Sequence, residues 1–169
     1  MPSKLIYLFS RKKYTHSSIA IEPATDKFCS YGRRRLNNMF SGGLIREDTQ
    51  GGLFKKFPHS PCELFVLEIN DESYEKIKEL IDFYFANYDK CKYKVSALLL
   101  FMPLRAKREL GLKLVCSQFV AKLLYESGAC KLPQHPALMQ PIDFMSITNL
   151  RSIYVGEIKD LHFKNEPKE

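Results

Sequence analysis

A chain of 169 residues, 45% hydrophobic and 27% charged, is long and apolar enough for one domain with its own core. That balance excludes wholesale disorder, and no apolar run nears the roughly 20 residues that span a bilayer. The net charge of +7 favours an anionic partner such as nucleic acid, an acidic lipid surface or a cell-wall polymer, unless it serves solubility alone.

From the N-terminus, "KLIYLF" (residues 4–9) predicts a strand, "SRKKY" (10–14) its turn, and "THSSIAIE" (15–22) a second strand that ends at Pro23. "TDKFCSYGR" (25–33) follows the "PATD" turn as a third strand, which makes an antiparallel meander. The first residues lack the layout and cleavage site of a signal peptide, so a cytoplasmic location is expected. Residues 34–61 are rich in Gly, Asn and Pro and read as one long loop with little regular structure.

"CELFVLEI" (62–69) predicts a strand with an apolar centre. "NDESYEKIKELIDFYFANYDK" (70–90) predicts a helix. Asn70 or Asp71 caps it, and Tyr74, Ile77, Ile81, Tyr84 and Tyr88 recur at steps of three and four. "VSALLLFMPL" (95–104) reads as a buried helical segment, followed by the basic "RAKREL" (105–110). "LKLVCSQFVAKLLYESG" (112–128) opens a helix near Cys116, with Phe119, Val120, Leu123 and Leu124 as its apolar stripe and Gly128 as its stop. "SIYVGEI" (152–158) reads as a last strand, and "KNEPKE" (164–169) as a frayed tail. The expected architecture is one α+β domain over residues 1–169, an antiparallel sheet of five or six strands with helices on one side.

Cysteines 29, 62, 91, 116 and 130 are dispersed, with no C-x-x-C pair, which argues for free thiols. The four histidines are equally scattered, so neither a metal nor a cofactor is expected. "SGGL" and "QGGL" lack the Lys-Ser/Thr continuation of a phosphate loop and read as turns.

One thiol stands in a special place. Cys116 sits in the first turn of its helix, where unpaired N–H groups and the positive end of the dipole favour a thiolate. The same groups could hold an oxyanion formed when that sulfur attacks a carbonyl. The competing reading is a small buried hydrophobe at the head of the apolar stripe. A nucleophilic thiol needs a proton acceptor, and His16 is the best placed. Strand alternation in "THSSIAIE" puts His16, Ser18 and Ala20 on one face, away from Ile19 and Ile21. An ordinary exposed strand histidine is the alternative.

"THSSIAIE", "FCSYGRR", "FSGGLIRE", "VCSQFVAKLLYESG" and "QPIDF", in that order, resemble the circularly permuted branch of the NlpC-type, papain-like cysteine peptidases, closest to the YaeF/YiiX-like group. There the His strand is N-terminal and the Cys helix C-terminal, as in this sequence. The resemblance covers residues 5 to about 158. It implies a permuted papain-like fold and hydrolysis or transfer of an acyl group through an acyl-thiol intermediate, with Cys116 as nucleophile and His16 as base. The implied substrate is a peptide-like amide or an acyl-lipid ester, possibly anionic, with no obligatory nucleic acid. The orienting third residue in the superfamily usually comes from the strand after the His strand, which here offers Ser30. Glu47, in "GGLIRE", is the second choice. Gln118 follows the nucleophile, whereas the papain oxyanion glutamine precedes it, so that role is not carried over.

A different class of function is a non-catalytic basic module, in which "YGRRRLNNMF" and "RAKREL" bind nucleic acid through phosphates and stacked bases. Against it, most aromatics sit at core periodicities and the basic residues are spread along the chain.

Overall fold

The computed structural model describes residues 3–10, 15–22, 27–35, 41–93 and 110–162. The expected turns at 11–14 and 23–26, the "VSALLLFMPL" segment, all of "RAKREL" but Leu110, and the "KNEPKE" tail lie outside them. Strands β1 (Ser3–Ser10), β2 (Ser17–Ala20), β3 (Lys27–Arg33) and β4 (Gly42–Asp48) form an antiparallel meander. Strand β5 (Pro61–Ile69) pairs with the free side of β1, and β6 (Leu150–Glu157) with β5. The sheet order is β4-β3-β2-β1-β5-β6, antiparallel throughout. The chain is thus an α+β protein.

Strand alternation sorts the sheet into two faces. On one, Ile19, Tyr31, Leu44, Phe65 and Leu67 pack against helices α2 (Asp71–Ala86) and α3 (Cys116–Glu126). Helix α2 starts as its sequence requires. Asn70 is the N-cap, its side chain accepting the Ser73 N–H at 2.8 Å, and Ile77, Ile81 and Tyr84 form the buried stripe. Of the expected stripe, Tyr88 falls beyond the helix and is exposed. In α3 the stripe Phe119, Val120, Leu123 and Leu124 is fully buried. Gly128 takes φ 68° just past the helix, and the Ala129 N–H closes back on the Leu124 carbonyl. That left-handed turn suits glycine and terminates α3.

The two long helices share one face, as expected, but the other face is not bare. Ala20, Phe28, Leu64 and Val66 are covered there by Phe54, Ile158 and Leu161. Phe54 belongs to the short helix α1 (Gly52–Lys56). Residues 34–61 therefore are not one long loop: β4 and α1 both lie within them. Gly42 and Gly43 of "SGGL", which suggested a turn, are strand residues small enough for close approach, whereas Gly51 and Gly52 of "QGGL" do mark the bend between β4 and α1. A Cβ on Gly42 would stand 2.5 Å from Cβ of Tyr93, and one on Gly43 would collide with the Cys91 carbonyl. Leu44 N–H bonds that carbonyl and Tyr93 N–H bonds the Gly42 carbonyl, so residues 91–93 lie along the start of β4.

Three rings join the layers. Phe119 lies 5.2 Å from Tyr31 of β3 and 5.1 Å from Tyr84 of α2, with the two tyrosines edge to face at 6.3 Å. Because all three are buried, Phe119→Ala should cost about 3–5 kcal/mol in denaturant unfolding. Tyr125→Ala, on the exposed side of the same helix, should stay within about 0.5 kcal/mol.

Candidate active site

The ladder between β2 and β3 consists of the single pair Ile19↔Cys29. Toward the start of β2 the two strands are no longer paired. There the Ser17 carbonyl accepts a hydrogen bond from the Ser30 hydroxyl at 2.7 Å, and the Ser17 N–H points to the Cys116 sulfur. The first turn of α3 fills this opening. Its Ser117 hydroxyl donates to the Met139 carbonyl at 2.6 Å, and Gln118 donates to the Ala137 carbonyl at 2.9 Å. Gln118 also accepts the Val115 N–H at 3.3 Å. "CSQ" is therefore one nucleophile candidate followed by two anchors that hold the helix start in place.

Cys116 and His16, 100 positions apart in sequence (116 − 16), come close enough at this point for their side chains to interact. The Cys116 Sγ lies 4.0 Å from the carbonyl oxygen of Thr15. On the far side of the ring, His16 Nε2 lies 2.8 and 3.0 Å from the two carboxylate oxygens of Glu47. A carboxylate accepts, so Nε2 carries the proton, and Nδ1 is the nitrogen left for the sulfur. The Ser18 hydroxyl donates a short hydrogen bond to Glu47 Oε2. Glu47 is thus buried with two donors on its carboxylate, as a charge removed from water requires.

Electrostatics in the site run against burial. Burial alone would lower the His16 imidazole, but the Glu47 charge and the hydrogen bond to Cys116 raise it well above the usual 6.5. Burial would likewise raise the Cys116 thiol. The hydrogen bond and charge of His16, with the N–H groups of Ser17 and Ser117, instead bring it below 9.0. The other shifted cysteines go the opposite way. Burial pushes Cys29 and Cys130 up to about 11 and Cys62 up to about 12.

Of the sequence candidates, Cys116, His16 and Glu47 stand together. Ser30, ranked ahead of Glu47, does not reach the imidazole: its hydroxyl is committed to the Ser17 carbonyl, one residue along β2. The strand after the His strand supplies the support that holds β2 open, and β4, the next strand, supplies the carboxylate. Tyr93 was missed by sequence reasoning. It lies close enough to Cys116 for the two side chains to interact, and burial, together with the charge of the sulfur, keeps the phenol protonated. A parallel bridge to Leu114 and the N–H bond to Gly42 hold it there. The signal available in the sequence was the glycine pair facing it.

Cys116 itself is only 4% exposed and is not among the lining residues of the adjacent cleft of about 780 Å³, which its neighbours Thr15, His16 and Tyr93 line. A second hollow of about 560 Å³, lined by Thr15, Phe57, Pro58 and His59 among others, adjoins it. Thr15 and Phe57 belong to both. Among the described residues no group of His, Cys, Asp or Glu could hold a metal ion, and no helix could cross a membrane. Compared with known proteins, the chain matches no family model, no curated protein and no solved structure.

Proposed function

We infer that the protein is a cysteine-dependent acyl hydrolase or acyltransferase, acting on an amide or ester through a thioester on Cys116. The observation that carries this is the placement of Cys116, at the start of α3, beside a cleft-lining His16 that Glu47 holds at 2.8 Å, an arrangement that lowers the thiol and raises the imidazole. Most histidines and cysteines buried for packing show no such opposed shifts, which favour the thiolate–imidazolium form. A permuted papain-like arrangement, with the His strand before the Cys helix, accounts for the order of the parts.

In the proposed cycle the Cys116 thiolate adds to the substrate carbonyl carbon, and the carbonyl oxygen becomes an oxyanion. The free N–H groups in the first turn of α3 and the Tyr93 O–H are the donors near it. The tetrahedral intermediate collapses, the bond to the leaving amine or alcohol breaks, and His16 Nδ1–H gives that group its proton. Water, or an acceptor hydroxyl or amine, then loses a proton to His16 and attacks the thioester, which expels the thiolate. Glu47 holds the ring in place and stabilises its charged form throughout. The two hollows, which share Thr15 and Phe57, offer room for the acyl part and the leaving group.

Incubation with p-nitrophenyl acetate and peptide mass analysis provides the direct test. An acetyl adduct removable by hydroxylamine is expected on Cys116 and none on Cys116→Ser. Adducts confined to lysines, or equal on both proteins, would refute the reading. With iodoacetamide near pH 6.5, Cys116 should react roughly tenfold or more faster than Cys29, Cys62 and Cys130, whose pKa values lie near 11 to 12.

Plotting that rate against pH separates the two third-residue candidates. Glu47 raises the imidazole, and the charged imidazole lowers the thiol. Glu47→Gln should therefore move the half-maximal alkylation of Cys116 upward, by about one pH unit. Ser30→Ala removes a partner of a backbone carbonyl and should appear chiefly as about 1–3 kcal/mol of lost stability in unfolding experiments.

A further inference from the structure

We propose that the cleft beside Cys116 contains an anion subsite formed by Arg33, so that the substrate bears a carboxylate or phosphate close to its reacting carbonyl. This rests on the acyl-transfer reading and specifies its substrate. The charged groups lining the cleft divide sharply by what they touch. Glu47 is taken by His16 and Ser18, and Asp48 accepts the Gln50 N–H at 2.8 Å. Arg34 turns inward, its Nη2 donating to the Tyr88 and Cys91 carbonyls at 2.5 and 2.8 Å. Arg46 lies 4.0 Å over the ring of Phe85. Arg33 alone among these has no side-chain hydrogen bond, ion pair or ring contact among the described residues, and it is exposed at the cleft.

Its direction follows from the register. Arg33 pairs with Gly42 and so projects from the same face of the sheet. A side chain on Gly42 would run into Tyr93, which identifies that face as the Tyr93 side. Tyr93 and His16, the two side chains that interact with the sulfur, line the same cleft as Arg33. Arg33 therefore stands next to the tyrosine that flanks the nucleophile. Arg34, whose charge is met by carbonyl oxygens and the Tyr88 ring but by no carboxylate among the described residues, adds a second positive charge behind it. A guanidinium without a partner presents a planar set of donors, and carboxylate and phosphate groups fit it in a forked geometry.

Two alkylating agents of similar size test the subsite: iodoacetate is anionic and iodoacetamide neutral. With each, the Cys116 thiolate forms a C–S bond and iodide leaves with the electrons of the C–I bond. The ratio of the two rate constants at Cys116 cancels any change in thiolate population and isolates the attraction for the anion. At low salt the ratio should fall about three- to tenfold in Arg33→Gln and further in Arg33→Glu, and Arg33→Lys should restore most of it. The differences should shrink in about 0.5 M sodium chloride. Protection of Cys116 from iodoacetamide by inorganic phosphate but not by acetate would mark a phosphate subsite, and the reverse a carboxylate one. Equal ratios in the wild type, Arg33→Gln and Arg33→Glu would overturn the proposal. Failure of the acyl-transfer reading shows up differently, as slow labelling of Cys116 by both agents near neutral pH. Near pH 10, where even an unactivated thiol has a larger thiolate fraction, the ratio would still report on Arg33.

Discussion

Everything at the site depends on where α3 begins. Phe119, one turn into that helix, is held between Tyr31 and Tyr84, so β3, α2 and α3 share a single aromatic contact. Burial of three large rings fixes the helix axis against the sheet far more firmly than polar contacts at its tip could. Ser117 and Gln118 then set the rotation by bonding the Met139 and Ala137 carbonyls. With axis and rotation determined, Cys116 has one place to go: the opening where β2 leaves β3.

That opening is a backbone feature with an electrostatic consequence. Strands paired along their whole length would spend the Ser17 N–H and carbonyl on a neighbouring strand. Here Ser30 satisfies the carbonyl, which leaves the N–H available to the sulfur. The helix contributes the Ser117 N–H, and the imidazole contributes a charge. Each of these favours the thiolate, and together they outweigh the burial that raises the thiols of Cys29, Cys62 and Cys130. Charges in such a place are tolerable only as a connected set, which is why Ser18 and Glu47 are buried with the histidine.

The cleft extends this arrangement outward. Its charged side chains are nearly all occupied in holding the site together, so specificity falls to the few that are not. Under the proposed chemistry, Arg33 selects for negative charge in the cleft, and the adjoining hollow at Phe57 and Pro58 offers further room for the substrate. The excess of basic residues in the composition thus has a local expression. It is not a diffuse surface effect in the "YGRRR" run, since its middle arginine, Arg34, is directed inward.

Much of the fold was legible because its signals are local. The Asn70 cap, the three-and-four spacing of α2, the stripe of α3 and the Gly128 stop each depend on residues within a few positions, and all appear as the sequence predicts. The placement of His16 with Ser18 on one face also follows from the period of a strand. Strand β4 was hidden because Gly42 and Gly43 look like turn residues, and only the neighbouring chain at 91–93 reveals that they are small for close approach. The choice of Glu47 over Ser30 was equally out of reach, since it depends on strand register across three strands. Local periodicity and capping thus settle which elements form and which residues share a face. Which distant side chains meet, His16 with Glu47 and Cys116 with His16 and Tyr93, was decided by tertiary packing alone, because sheet register and helix docking are set by contacts between segments far apart in the chain.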